Sequence, residues 1–179
     1  MTRDDLAQLQ RFFERNPEYS QIVGGEPPAA DRARELFESQ PPPEWPRTGK
    51  WVVGIFDAGG ALVGVVDVIA DLFVEGLWHL GLFIIATERH GSGLAHSVYA
   101  ELEQWMQKSG ARWLRLGVVV GNARAERFWE RLGYRDVRIR TGVAMGQRVN
   151  SLRVMVKLLD DSSIEQYLAA IERDRPEAP

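Results

Sequence analysis

A chain of 179 residues with 45% hydrophobic and 26% charged residues has the size and balance of one domain able to bury its own core, which excludes a disordered or fibrous protein. It contains no cysteine, so disulfides, thiolate zinc sites and acyl-cysteine catalysis are excluded as well. A formal charge of -3 and a pI near 5.7 give no general attraction to nucleic acid.

The opening run MTRDDLAQLQRFFERN is charged throughout and lacks the apolar core of a signal peptide. No window approaches the roughly 18 apolar residues that span a bilayer, so a cytoplasmic protein without membrane association is expected. Leu6, Leu9, Phe12 and Phe13 fall at helical spacing and predict a helix over residues 4–15, ended by Asn16-Pro17. A second helix is predicted over residues 30–39, between the Gly24-Gly25 and Pro27-Pro28 break and Pro41-Pro42-Pro43. Together the two are expected to form a movable lip. Valine- and isoleucine-rich runs at 50–56 and 61–69 flank Asp57-Ala58-Gly59-Gly60, a hairpin turn by composition, and a third strand follows at 77–85.

Residues 93–109 predict a helix whose apolar stripe is Leu94, Val98, Leu102 and Trp105, with Gly110 suited to the left-handed residue past its end. The strand at 113–120 completes a strand–helix–strand crossover and therefore a parallel pair. Asn122 caps another helix, with Ala125, Phe128 and Leu132 inward and Gly133 as its stop. Strands at 134–140 and 149–158, joined through a turn over 142–146, finish the sheet. A tail helix over 162–173 carries Ser162 and Glu165 in capping-box register and Ile164, Leu168 and Ile171 on one face. The fold class is α+β: a mixed, mostly antiparallel sheet with one central parallel pair, flanked by helices. One domain over residues 1–159 with an appended helix and tail over 160–179 is expected.

The stretch most informative about chemistry is His90-Gly91-Ser92-Gly93-Leu94-Ala95, where a buried strand turns through small residues into a helix. The first amides of a helix lack internal partners and carry the positive end of its dipole, and glycines let phosphate oxygens approach them. The loop lacks the Gly-Lys-Ser/Thr of a P-loop, and His96 stands at the third glycine of a dinucleotide fingerprint. It resembles instead the Arg/Gln-x-x-Gly-x-Gly/Ala signature of the GNAT acetyltransferase superfamily, with histidine at the first position. A second element, Asn122-Ala123-Arg124-Ala125-Glu126-Arg127-Phe128-Trp129-Glu130-Arg131-Leu132-Gly133-Tyr134, resembles that superfamily's Asn-x-x-Ala-x-x-Phe-Tyr-x-x-x-Gly-Phe motif. The resemblance is specific over residues 77–134 and loose elsewhere.

The resemblance implies an acyl-CoA N-acyltransferase fold and transfer of an acetyl group from acetyl-CoA, as cosubstrate and without a metal, to a primary amine. It assigns Phe83, Ile84 and Ile85 to the pantetheine arm and His90, Gly91, Ser92, Gly93, Leu94 and Ala95 to the pyrophosphate. Asn122, Arg124, Ala125 and Phe128 fall to the arm or adenosine portion; a solvated helix face is the other reading of Arg124. His79 stands eleven residues before His90, where several relatives carry a catalytic glutamate. It is the candidate base, with a structural histidine as the alternative. Trp129 occupies the place of a tyrosine that often protonates the leaving thiolate, which indole cannot do; Tyr99, Tyr134 or water are the substitutes. The acceptor, a small-molecule or peptidic amine, would be recognised by residues 16–43 and 142–148. Glu18, Glu26, Asp67, Asp71 and Glu75 are the acids available to a cationic amine. A homodimer accords with the family's habits. The competing functions are a catalytically silent CoA-binding module or sensor and a nucleotide-binding regulatory protein.

Overall fold

The computed structural model describes residues 1–178. Chain order is α1 (Leu6–Arg15), α2 (Glu18–Gly24), α3 (Arg32–Glu38), β1 (Gly49–Phe56), β2 (Leu62–Ala70), β3 (Leu77–Ile85), α4 (Leu94–Lys108), β4 (Trp113–Val119), α5 (Ala123–Arg131), β5 (Arg135–Met145), β6 (Arg148–Leu158) and α6 (Ile164–Ala170). The six strands form one sheet in the order β1-β2-β3-β4-β6-β5. Every neighbouring pair is antiparallel except β3 with β4. This is the α+β architecture the strand–helix–strand unit requires, because α4 must cross over the sheet to return the chain in the same direction.

All nine residues of β2 are buried, so its near-continuous apolar run marks a strand covered on both faces. Val66, Val68, Trp78, Leu80, Leu114 and Leu116 pack under α4 and α5, where they meet Tyr99, Leu102, Met106 and Trp129. On the opposite face Val65, Leu82 and Ile84 meet Leu9, Phe12, Phe13 and Leu36 of α1 and α3. Leu77, Trp113, Val154 and Val156 meet Tyr167 and Ile171 of the C-terminal segment. That last contact is pinned by a buried ion pair: Asp174, fully buried, accepts from Arg115 Nε and Nη2 at 2.6 and 2.8 Å and from the Tyr167 hydroxyl at 2.5 Å. Among the described residues no helix is long and apolar enough to cross a membrane.

Four local expectations are corrected. Residues 18–24, read as connection, form α2: Pro17 precedes its first residue, and Gly25 ends it at φ +79°. The β5–β6 turn is Gly146-Gln147 alone; β5 runs through Gly142 to Met145 and absorbs its irregular stretch as register shifts. The inward stripe of α4 is Tyr99, Leu102 and Met106, which leaves Trp105 at the rim against Trp51 and Trp78. The C-terminal capping box is Ser163 with Gln166, one residue beyond the expected pair.

Candidate functional site

Parallel pairing of β3 with β4 covers only Leu77–Leu80 against Trp113–Leu116. Both strands continue, to Ile85 and Val119, but they are no longer partners, so their facing backbone groups are released into the gap. The divergence begins at an irregularity in β3. Opposite β2, Asp67 pairs with Leu82 and Val68 with Leu80, which leaves Gly81 as the extra residue of a bulge. A Cβ at Gly81 would stand 2.6 Å from Asp67 Oδ2, so only glycine fits there without displacing the carboxylate.

The gap opens into a cavity of about 570 Å³, within the range that holds a small molecule or a cofactor arm. Its floor is Leu80–Ile85 and Leu116–Val119, one end is the glycine loop, one wall is α5, and α2 with Met145 and Leu152 closes the other side. The β5–β6 turn and the start of β6 hold α2 in place through its exposed C-terminal carbonyls. Gln147 N, Arg148 Nη1 and Asn150 Nδ2 donate to Gly24, Ile22 and Val23 oxygens at 2.8, 2.9 and 2.8 Å. The two segments expected to meet the acceptor, far apart in sequence, therefore form one wall.

At the glycine loop Gly91 and Gly93 adopt φ +77° and +86°, and a side chain at either would meet nothing within 4 Å. Their left-handed backbone calls for glycine, and the space beside them is open. The N–H groups of Gly91, Gly93 and Ala95 find no acceptor among the described residues, which gives an anion three unoccupied donors at the start of α4. Ser92 bonds back to its own loop, its hydroxyl donating to Arg89 O at 2.6 Å and accepting from Leu94 N at 3.3 Å.

His90 ties the loop to both walls. Its Nε2 lies 2.9 Å from Ile85 O and its Nδ1 3.0 Å from Arg124 Nη1. A carbonyl can only accept and a guanidinium only donate, so the neutral ring carries its proton on Nε2. Arg124 also donates to Glu18 Oε2 at 2.8 Å, linking α5 to α2 across the mouth. Asn122 lines the cavity while its Oδ1 caps α5 by accepting from Ala125 N at 3.3 Å.

The structure thus brings Phe83, Ile84, Ile85, His90, Gly91, Gly93, Ala95, Asn122, Arg124, Ala125, Phe128 and Trp129 onto one cavity. Ser92 and Leu94 face a smaller depression on the outer side of the loop. His79 is kept apart: it sits on the face toward the C-terminal segment, with Nδ1 3.4 Å from Arg115 Nη1. Burial first, and then the Arg115 charge, push its pKa down to about 3. Its ring is therefore neutral near pH 7, with Nδ1 already facing a donor.

Trp129 is 7% exposed and packs edge-on against Phe83, Phe128, Tyr99 and Tyr134. The Tyr99 and Tyr134 hydroxyls hydrogen-bond each other at 3.1 Å inside the core, outside the cavity lining. Burial raises both phenols far above their usual range. No cluster of His, Asp, Glu and Cys that could hold a metal exists among the described residues.

The parting of β3 and β4 thus lies beside a glycine loop with free amides. The sequence matches the acetyltransferase (GNAT) family over residues 10–134. The chain belongs to that family. Its fold is similar to an acetyltransferase from Thermus thermophilus, at 25% identity and TM-score 0.70, covering 89% of this chain and 94% of that one. It is also similar to the spermidine N-acetyltransferase of Vibrio cholerae solved with CoA and spermine, at 20% identity, TM-score 0.67, and 88% and 92% coverage. The ribosomal-protein-S18-alanine N-acetyltransferase of Escherichia coli aligns at 15% identity, TM-score 0.64, and 91% and 93% coverage. Comparison with curated proteins finds none that matches. Family members are acyl-CoA-dependent acetyltransferases, so this GNAT chain is an enzyme of that class.

Proposed function

We propose that this GNAT enzyme transfers the acetyl group of acetyl-CoA to a primary amine by direct attack on the thioester. The observation that carries the reading is the parting of β3 and β4 after Leu80 and Leu116, directly beside the three free N–H groups of the glycine loop. The open space at Gly91 and Gly93 fits a pyrophosphate, and the released edge of β3 over Phe83, Ile84 and Ile85 fits the amides of a pantetheine arm. Bound acetyl-CoA supplies an activated acyl group.

The chain's own residues then do four things. The amides of Gly91, Gly93 and Ala95, together with Arg124, neutralise the phosphates. Asn122 holds the start of α5 at the cavity wall, and Ala125 and Phe128 shape the same wall. A backbone N–H released at the β3 bulge polarises the thioester carbonyl as charge develops on its oxygen. Trp129 bounds the end of the arm without donating a proton; a thiol of pKa about 8.5 is already a fair leaving group. His79 is assigned to the structural side: with its pKa near 3 and its Nδ1 facing Arg115, His79→Gln is expected to leave the pH profile of turnover in place.

The acceptor side is formed by α2 and the β5–β6 turn. Polyamines, as in the Vibrio cholerae neighbour, and peptide amino termini, as in the Escherichia coli neighbour, are the first two classes to screen. Calorimetry with acetyl-CoA tests the cofactor, with Gly91→Val and Asn122→Ala as controls and ATP and NAD as competitors. Thiol release in the presence of an amine panel tests the chemistry. Binding lost in Gly91→Val and amine-dependent thiol release support the reading. Binding without release across the panel would indicate a silent CoA-binding module, and no binding at millimolar acetyl-CoA would overturn both.

A further inference from the structure

Behind the Gly81 bulge lies a buried carboxylate, Asp67, with one oxygen against Gly81 and the other facing Lys50 without a hydrogen bond. Asp67 is the single charged residue of β2 and is 6% exposed. Its neighbours Val66 and Val68 point under α4, so alternation turns Asp67 toward the α1–α3 side. Its Oδ1 is buried with no donor among the described residues. The facing cation, Lys50 Nζ on β1, lies 3.6 Å away and directs protons to the carbonyls of Leu36, at 2.7 Å, and Ser39.

The other charged or titratable groups facing Asp67 from packed elements are Arg32 of α3 and the Tyr19 phenol of α2. Tyr19 itself lines the cavity. Oδ2 points at Gly81, which lines the cavity and is exposed to it. What separates the carboxylate from the cavity is thus a residue with no side chain. Lys50 faces Oδ1 but donates to carbonyls, so the oxygen open to a further cation is Oδ2, on the Gly81 side; a buried carboxylate short of donors is an expensive arrangement.

We propose that Asp67, through the Oδ2 that lies against Gly81 at the cavity edge, receives the ammonium end of the acceptor and takes its proton before attack. This rests on reading the cavity as the acetyl-transfer site. One ammonium proton passes to the Asp67 carboxylate; the freed nitrogen lone pair forms the C–N bond at the thioester carbon. The C–S bond breaks with its electron pair on sulfur, the second nitrogen proton goes to that thiolate as CoA-SH forms, and Asp67 releases its proton to solvent. Burial, outweighing the attraction of Lys50, lifts the Asp67 carboxyl to about 6, which leaves it ionised and basic near neutral pH.

The experiment is a titration of the 15N-labelled protein, with and without saturating CoA, by n-butylammonium and by the neutral n-butanol, followed through the Gly81 and Asp67 amides. Butylammonium is expected to give saturable shifts at both, butanol to give none, and Asp67→Asn to abolish them. In the wild type the affinity should fall about tenfold for each pH unit below 6, a readout independent of any variant. Equal shifts in Asp67→Asn, no saturable shift at Gly81 up to about 100 mM, or a pH-independent affinity would overturn the role of Asp67. CoA binding in the same samples is read separately: its absence sinks the acetyl-transfer reading, whereas its presence with unchanged Asp67→Asn titrations sinks this proposal alone.

Discussion

Burial of the Asp67 carboxylate carries a cost to the fold, and that cost has a definite sign. Its pKa rises from 3.8 to about 6 on folding, burial being the main cause and the Lys50 charge opposing it. At about 1.4 kcal/mol per pH unit, the folded state disfavours the ionised carboxylate by about 3 kcal/mol. Because the folded pKa is raised, the native state binds the proton more tightly than the unfolded chain does. Stability is therefore highest below the unfolded pKa and falls as pH rises between about 4 and 6. Asp67→Asn mimics the protonated form and is expected to stabilise the protein by up to about 3 kcal/mol at pH 7.5, or roughly 6–12 °C in Tm for a chain of this size. The gain should shrink through pH 6 and vanish below pH ~4. Thermal melts of both proteins across pH 3.5–8 read this directly. A variant that is less stable at pH 7.5, or a difference that does not change with pH, would refute the reasoning, because it would mean that Lys50 repays the burial of the charge in full.

The remaining predictions concern the cofactor end and the C-terminal clasp. Gly91→Val places a β-branched residue at φ +77° and should weaken acetyl-CoA binding at least tenfold by calorimetry, while its strain costs the fold only about 1–2 kcal/mol. Glu18→Gln removes the carboxylate that now occupies Arg124; acetyl-CoA affinity should rise several-fold in dilute buffer, and the advantage should fade toward 1 M salt. Asp174→Asn leaves the buried Arg115 guanidinium short of its counter-charge and should cost about 3–5 kcal/mol, seen as a large fall in Tm. Arg115 holds the Asp174 carboxyl below its usual range against burial, so the wild type should lose this contribution as pH falls through that depressed value. Trp129→Tyr restores a hydroxyl at the cavity's aromatic wall and should speed thiol release if protonation of the leaving group limits turnover; unchanged kcat would assign Trp129 to packing alone.

Local chemistry explains which parts of this molecule can be read from its sequence. The glycine loop and the Asn122 cap are legible because each is a short stretch whose local structure depends on backbone conformation: left-handed glycines at 91 and 93, and an Asn side chain accepting from the third residue of α5. The crossover is legible because strand, helix and strand at that spacing leave a single way to pair. Helix α2 escapes such a reading because Asn16-Pro17 looks like a stop, whereas proline at a helix start costs nothing. Seven residues with no buried side chain show little periodicity, and α2 is held by three donors from the β5–β6 turn and the start of β6, more than 120 residues away. The placement of His79 is hidden for a related reason. Its distance from His90 along the chain is the one the resemblance implies for a base, but a side chain's face depends on the bulge between them, and Gly81 gives no sequence sign of being the extra residue.

The five acids open to a cationic amine show what the fold adds to such a reading. In the sequence they are equivalent. In the structure Glu18 is engaged by Arg124, Glu26 accepts from Gln147 at 3.0 Å, and Asp71 accepts from the Thr48 hydroxyl and from Gly76 N, which closes the β2–β3 turn. Glu75 belongs to that same turn, at the end of β3 away from the glycine loop. Asp67 differs from all four in lying within a strand, buried and without a hydrogen bond at Oδ1, beside the one residue of β3 that has no side chain to shield it. An apolar residue at position 67 would complete the all-apolar pattern of β2 and remove the cost of a buried charge. Lys50 faces one oxygen of that aspartate; the other lies against the glycine that borders the cavity, which is the side from which an acceptor's cation would reach it.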